Sequence, residues 1–488
     1  MYINFLKRPF TAFLFAAVLS SFSVCFFNCK STEIVQEPVQ TPQDIEKTIV
    51  QKPAPKIKND FMERLSAYLE KNDFDSAIAL FNTLNEEDAA KKETRILKGS
   101  VYISAQKIDS AREIADQLIK EDEKNIESRY LLSNVEYASG NIDAQTLILE
   151  SIIKENPDHI PSLNDLGIIA IGKKSFKAAA SYFDKALAIN ENNLDAINGR
   201  ANVYRLLRKP EDAEKLLTKA VELYPAYGIV YSERGRFYRE YGKYNEALAD
   251  LKVAEKLMPN NYWVYYDRGR VYLDTSRNEE AVKEFVRAEK INPNNFISYV
   301  YSAGLRDRLG DYAGAEKDYE HLIALRPDYY FAYESLGILR MRKKDYAAAA
   351  AAFKEAYTNA PREFSYSMLT AINYLQSGQK HNEIKPFIEF VMKQMDRSKV
   401  EYSVMRLFFD YSGDMDVIKR IENEKDPRTK AQMFFYLANY YLIRGNNIMA
   451  DKYFVEVNDI GRNDMLEWRL NESILQDRKL VFGKTSNG

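Results

Sequence analysis

From residue 58 to residue 397 the order of small, bulky apolar and polar positions recurs every 34 residues, with no insertion. One column is small: Gly99, Ser133, Gly167, Ala201, Gly235, Gly269, Ala303, Gly337 and Ala371. A second is almost all alanine: Ala77, Ala111, Ala179, Ala213, Ala247, Ala281, Ala315 and Ala349, with Gln145 and Glu383 as exceptions. A third is large and apolar, including Phe81, Leu149, Phe183, Leu217, Leu251, Phe285, Tyr319, Phe353 and Phe387. A fourth favours tyrosine, as at Tyr102, Tyr204, Tyr238 and Tyr272. Small residues let two helices approach closely, and bulky ones fill the space between successive pairs.

A proline column, Pro225, Pro259, Pro293, Pro327 and Pro361, closes the second helix of each pair. Proline lacks the N–H and disfavours helix in the residue before it. The same phase reaches back to Glu191 and Pro157, and matching units begin at Lys58 and Lys92. Residues 58–397 therefore predict ten helix pairs. Short turns such as Gly242-Lys243, Gly310-Asp311 and Lys344-Asp345 predict helix C-caps between the two helices of a pair. Residues 398–430 break the period, include Gly413 and Pro427, and read as an irregular, partly helical insert. A further unit over 431–464 carries Phe434, Leu437, Ala438, Tyr441, Gly445, Ala450 and Phe454 in phase. Residues 465–480 read as an amphipathic helix that caps the exposed end of the array, and 481–488 as a disordered tail.

Several independent columns agree in phase, and together they resemble the tetratricopeptide repeat family over most of the chain. The resemblance implies an all-α fold, a right-handed α-solenoid of stacked helix-turn-helix pairs. It also implies that the first helix of each pair lines a concave, ligand-contacting face. The matching positions are Asn164, then Asn198, Asn202 and Arg205, then Arg236 and Arg239, then Trp263, Tyr266 and Arg270. Asp307, Phe331, Glu334 and Met341 follow further along. Arginine with tryptophan and tyrosine suits extended peptides or acidic groups, because arginine grips carboxylates bidentately and buried aromatics dominate interface energetics. The family's chaperone-tail clamp is not reproduced, since its positions hold Glu233, Trp263 and Asp267. Arg200, Arg234 and Arg268, one per repeat, are expected to form ion pairs between repeats.

The N-terminus differs from the array. Lys7 and Arg8 precede an apolar run from Phe10 to Phe27, and then Asn28-Cys29-Lys30. A basic start followed by an uncharged apolar stretch is a secretory signal. With Cys29 at its end, residues 1–29 resemble a bacterial lipoprotein signal of the looser spirochaete type. Asn28 and Phe26 depart from the small residue and leucine usual there. The resemblance implies acylation at Cys29 and a cell-envelope location, on the periplasmic face or outer membrane. The same run is about long enough for an uncleaved anchor, which needs roughly 20 residues. An ordinary cleaved signal is the third reading. Residues 30–57, with Pro38, Pro42, Pro53 and Pro55 among polar residues, read as a flexible tether. As a coil it would reach on the order of 30 Å.

Charge and composition narrow the function. With 69 basic and 71 acidic residues the formal charge is −2, which argues against general nucleic-acid binding. Cys25 and Cys29 are the only cysteines, so the array can hold no disulfide or thiolate metal site. His159, His321 and His381 have no second histidine or cysteine at ligand spacing, and neither metal nor cofactor is expected. Gly483-Lys484-Thr485 lacks the upstream glycine of a phosphate loop, whose place is taken by Arg478. No nucleophile elbow or paired-carboxylate constellation stands out, and an enzyme is not expected. The expectation is a membrane-tethered scaffold for protein or peptide partners in the envelope. The alternative is a lipoprotein accessory of a transport system that binds a small hydrophobic or acidic ligand.

Overall fold

The computed structural model describes residues 56–71 and 73–480. The signal reading of 1–29, the acylation site Cys29, nearly all of the tether and the tail 481–488 lie outside these residues. Among the described residues the only regular secondary structure is helical. The helices are strung in consecutive antiparallel pairs, such as Ile160–Gly172 with Phe176–Ile189 and Leu194–Leu206 with Pro210–Leu223. The chain is an α-solenoid of stacked helix-turn-helix pairs.

Each boundary has a chemical cause. The second helices end at Leu223, Leu257, Ile291, Leu325 and Asn359, each two residues before the column proline. Between the helices of a pair, one position per repeat is left-handed: Gln106, Gly140, Lys174, Arg208, Gly242, Ser276, Gly310, Lys344 and Gly378. The next residue's N–H returns to a carbonyl five residues back, as from Lys243 to Tyr238 (2.8 Å) and Asp345 to Arg340 (2.9 Å). That is the bond pattern of a Schellman C-cap. A second cap column opens the first helices. Asn125, Asn193 and Asn295 accept the N–H of Ser128, Ala196 and Ser298, at 2.9, 2.9 and 3.3 Å. His159 occupies this column, its Nδ1 accepting the Ser162 N–H at 3.3 Å.

The small and bulky columns meet face to face. A Cβ on Gly167 would lie 2.6 Å from the Phe183 ring, and one on Gly337 would lie 2.7 Å from that of Phe353. Both rings are fully buried.

Two compact units divide the chain, one ending at Phe237 and the other beginning at Tyr238. In the first, each core cluster is confined to neighbouring pairs, such as Leu163, Phe183, Ala186 and Val203. Its first pair is uneven, because Lys56–Glu70 is followed by a second helix of only Phe74–Leu80. In the second unit, one cluster runs from Ile338 to Leu475. Residues 398–430 here contain the helices Val400–Asp410 and Asp414–Glu422, and the next helix, Pro427–Ile443, begins before residue 431. That helix is buried on nearly all sides, from Met433 to Tyr441. It packs on Phe364–Gln376, where Gln376 donates to Asn439 (3.2 Å) and Gln432 to Ser365 (2.9 Å). Helix Leu466–Asp477 follows, its Asn471 amide donating to the Phe454 carbonyl at 3.0 Å.

Candidate binding faces on the first helices

In the first unit, the candidate positions carry the amides of Asn164, Asn198 and Asn202 and the guanidinium groups of Arg205 and Arg236. Asn164 is only 5% exposed, its amide donating to Asn193 Oδ1 at 3.0 Å. Its own Oδ1 is buried without a partner, and so is the Oδ1 of Asn198, one repeat further on. Asn202 accepts from Arg205 Nη2 at 2.7 Å, and Arg236 donates to Glu233 at 2.8 Å. Beside Asn164 stands Asp165, which accepts the Tyr130 hydroxyl at 2.8 Å. Burial lifts the Asp165 carboxyl to about 7; the Tyr130 hydrogen bond opposes this and the nearby Asp195 charge adds to it. Burial also raises Asp195. His159 lies edge-on to Tyr130 (5.2 Å between centroids), with Nε2 3.7 Å from Glu127. Its rings and cap bond place it as a structural histidine.

In the second unit the same helical positions carry arginines and aromatic rings. Trp263 meets Tyr266 edge-on at 5.4 Å, and Tyr266 lies 5.8 Å from Phe285 and 6.0 Å from Tyr301. Tyr266 is 5% exposed, so most of its ring serves the core. Arg270 lies over the Tyr301 ring at 5.0 Å and donates to the Tyr266 hydroxyl at 3.2 Å. Arg239 donates to Asp274 at 2.7 Å. Both arginines retain a buried Nε with no acceptor. Asp307 accepts from Arg342 at 3.1 Å, and Glu334 accepts the Tyr366 hydroxyl at 2.5 Å. Phe331, 50% exposed, lines a cavity of about 290 Å³ with Val300, Tyr319, Leu322, Tyr329 and Ser335.

The outward arginines pair with acids. Arg200 Nε is 2.7 Å from Asp184, across a repeat boundary. Arg268 is held between Glu255 of the preceding pair and Glu284 of its own, the latter at 2.6 Å. The hydrogen bond from Arg268 keeps Glu255 below its ordinary value. One repeat on, the acids recur as Glu289 and Asp318 but the arginine position is Ser302. The Ser302 hydroxyl touches both, at 2.5 and 2.9 Å, and Arg306 reaches Asp318 at 2.9 Å. Burial, with the Asp318 charge added, lifts Glu289 to about 7. Among the described residues, no group of three His, Cys, Asp or Glu side chains could hold a metal ion, and no helix is long and apolar enough to cross a membrane.

Stacked antiparallel pairs with a 34-residue period, capped and packed in this way, define a helical-repeat scaffold. Profiles described as tetratricopeptide repeat match residues 68–135, 160–193, 194–227, 264–295 and 303–364, and one described as TPR repeat matches 235–276. These segments cover more than half of the chain, which belongs to the tetratricopeptide repeat family, whose repeats serve as protein-interaction scaffolds. No curated protein matches the sequence at a significant level. Among solved structures, a tetratricopeptide repeat protein from Parabacteroides merdae is 21% identical, covering 50% of this chain and 96% of its own, with TM-score 0.39. A thermophilic TPR protein from Thermus thermophilus is 22% identical over 37% of this chain and 98% of its own, at TM-score 0.35. The APC/C hetero-tetramer Cut9-Hcn1 gives 16% identity over 64% and 69%, at TM-score 0.40. At these identities the likeness is one of fold alone.

Proposed function

We propose that the chain is a membrane-tethered scaffold of the bacterial cell envelope that holds protein partners on its first-helix faces. The observation that carries the peptide-binding part is the pair Arg239 and Arg270, whose buried Nε donors lack acceptors beside an aromatic wall. A buried donor without a partner costs about 1–3 kcal/mol, so a bound carbonyl or carboxylate that fills it gains that much. Envelope tethering rests on the basic, apolar and cysteine order of residues 1–29. The cavity beside Phe331 favours a second reading, capture of a small hydrophobic ligand for a transport system.

A photo-crosslinking residue at position 331, expressed in the full chain and recovered from envelope fractions, separates the two. Protein adducts support the scaffold, whereas lipid or small-molecule adducts alone would reject it in favour of ligand capture. Replacing Cys29 by Ala tests the tether. Loss of detergent-phase partitioning is expected, and unchanged partitioning and mass would refute acylation.

A further inference from the structure

The first-helix face of the first unit has unmet hydrogen-bonding capacity of the opposite sign, and the reading above does not use it. Asn193 caps helix Leu194–Leu206 by accepting the Ala196 N–H at 2.9 Å. Its Oδ1 is therefore an acceptor, and Asn164, 3.0 Å away, must present its NH2 to it. This fixes which end of the Asn164 amide is which. The Asn164 Oδ1 is thereby turned away from the cap; the residue is only 5% exposed and this oxygen has no donor. Asn198 repeats the deficit one helix pair later, one turn beyond Asp195.

The carboxylates around these amides are also short of donors. Asp165 receives one hydrogen bond, from Tyr130, and neither Asp165 nor Asp195 pairs with a lysine or arginine. Glu127 and His159 engage each other, Arg205 of the same face donates to Asn202, and the Tyr137 hydroxyl faces Asp165. Four acceptor groups thus lie on two consecutive first helices, with Asp165 and Asp195 near enough for their charges to interact and the Tyr130 hydroxyl on Asp165. Unsatisfied buried acceptors are rare in folded proteins and call for a donor.

We propose that this cluster binds an organic cation, the alkylammonium or guanidinium group that a lysine or arginine side chain presents. Such a group carries several N–H donors on one positive charge, which matches amide carbonyls beside carboxylates. The set lacks the three His, Cys, Asp or Glu ligands a metal site would need. The same chemistry could arrive on a basic peptide or on a free polyamine.

Calorimetric titration of the full chain with trilysine, triarginine, spermidine and triglutamate tests this. A cation should bind, and Asp165→Asn should weaken it by about tenfold or more while leaving triglutamate, which the second unit's arginines would hold, unaffected. Asn keeps the shape and removes a carboxylate that folding holds unfavourably, so this variant should remain folded; Asp195→Asn is the second, independent variant. Binding of the tripeptides but not spermidine assigns a peptide source, and the reverse assigns a polyamine; either supports the site. No binding by any of the cations, triglutamate weakened as much as the cations by Asp165→Asn, or cation affinity unchanged in both variants would overturn it. Failure here leaves the second unit's crosslinking result untouched, because the residues belong to different units.

Discussion

The two units build the same helix pair from the same columns, yet the unmet groups at their candidate positions are of opposite sign. In the first unit, buried oxygens of Asn164 and Asn198 lack donors. In the second, buried nitrogens of Arg239 and Arg270 lack acceptors, and an apolar cavity opens beside Phe331. The columns that fix the backbone are the small, bulky, alanine and proline positions, and Asn164, Asn198, Arg239 and Arg270 belong to none of them. A solenoid can therefore change the polarity of its binding surface without disturbing its packing, since each pair depends only on its neighbours.

The largest effect should come from breaking the second unit's ion triad. Arg268→Ala strands Glu255 and Glu284, and removing one partner of a buried pair costs about 3–5 kcal/mol. Chemical denaturation followed by tryptophan fluorescence should report that loss; a change under about 1 kcal/mol would mean the triad is not structural. The shared backbone is tested next. Gly167→Ala and Gly337→Ala each force a Cβ onto a buried ring, and overpacking costs about 1–3 kcal/mol. Equal losses in the two units would sharpen the claim that only the faces differ, whereas a loss confined to one unit would break it.

Titration supplies the third contrast. Glu289, near 7 in the folded chain against about 4.3 unfolded, holds its proton more tightly when folded. Its contribution is therefore full below about pH 4 and is lost as pH rises through about 7. Glu289→Gln should raise stability at pH 8 by about 3 kcal/mol and leave it unchanged near pH 4. Glu255→Gln, one repeat earlier, should do the reverse at pH 8, because Arg268 lowers that carboxyl. Thermal melts at both pH values check the pair. A smaller gain, about 0.5–1 kcal/mol, is expected from Arg208→Gly at a left-handed turn position. The smallest is Phe331→Ala, which should change stability by no more than about 0.5 kcal/mol.

Most of this fold could be read from the chain. The 34-residue columns place every helix pair from 92 to 359, and the turn glycines and column prolines mark their ends. The cap column of Asn125, His159, Asn193, Asn261 and Asn295 was visible at the same spacing but escapes a search for apolar and small positions. The site was only half legible. Periodicity puts Asn164 and Tyr266 on the first-helix face, but it cannot say that neighbouring repeats bury both. Asp165, Tyr130 and Asp195 look like ordinary surface residues in sequence, because what unites them comes from three different first helices. Ser302 did carry a signal: the arginine column Arg200, Arg234, Arg268 stops there while its acid columns continue to Glu289 and Asp318.

Hydrogen–deuterium exchange of the full chain, with trilysine and with triglutamate in turn, tests the opposed faces most directly. Trilysine should protect helices Ile126–Ala138, Ile160–Gly172 and Leu194–Leu206, and triglutamate should protect Tyr262–Asp274. Protection of the same helices by both peptides, or of none by either, would contradict the account.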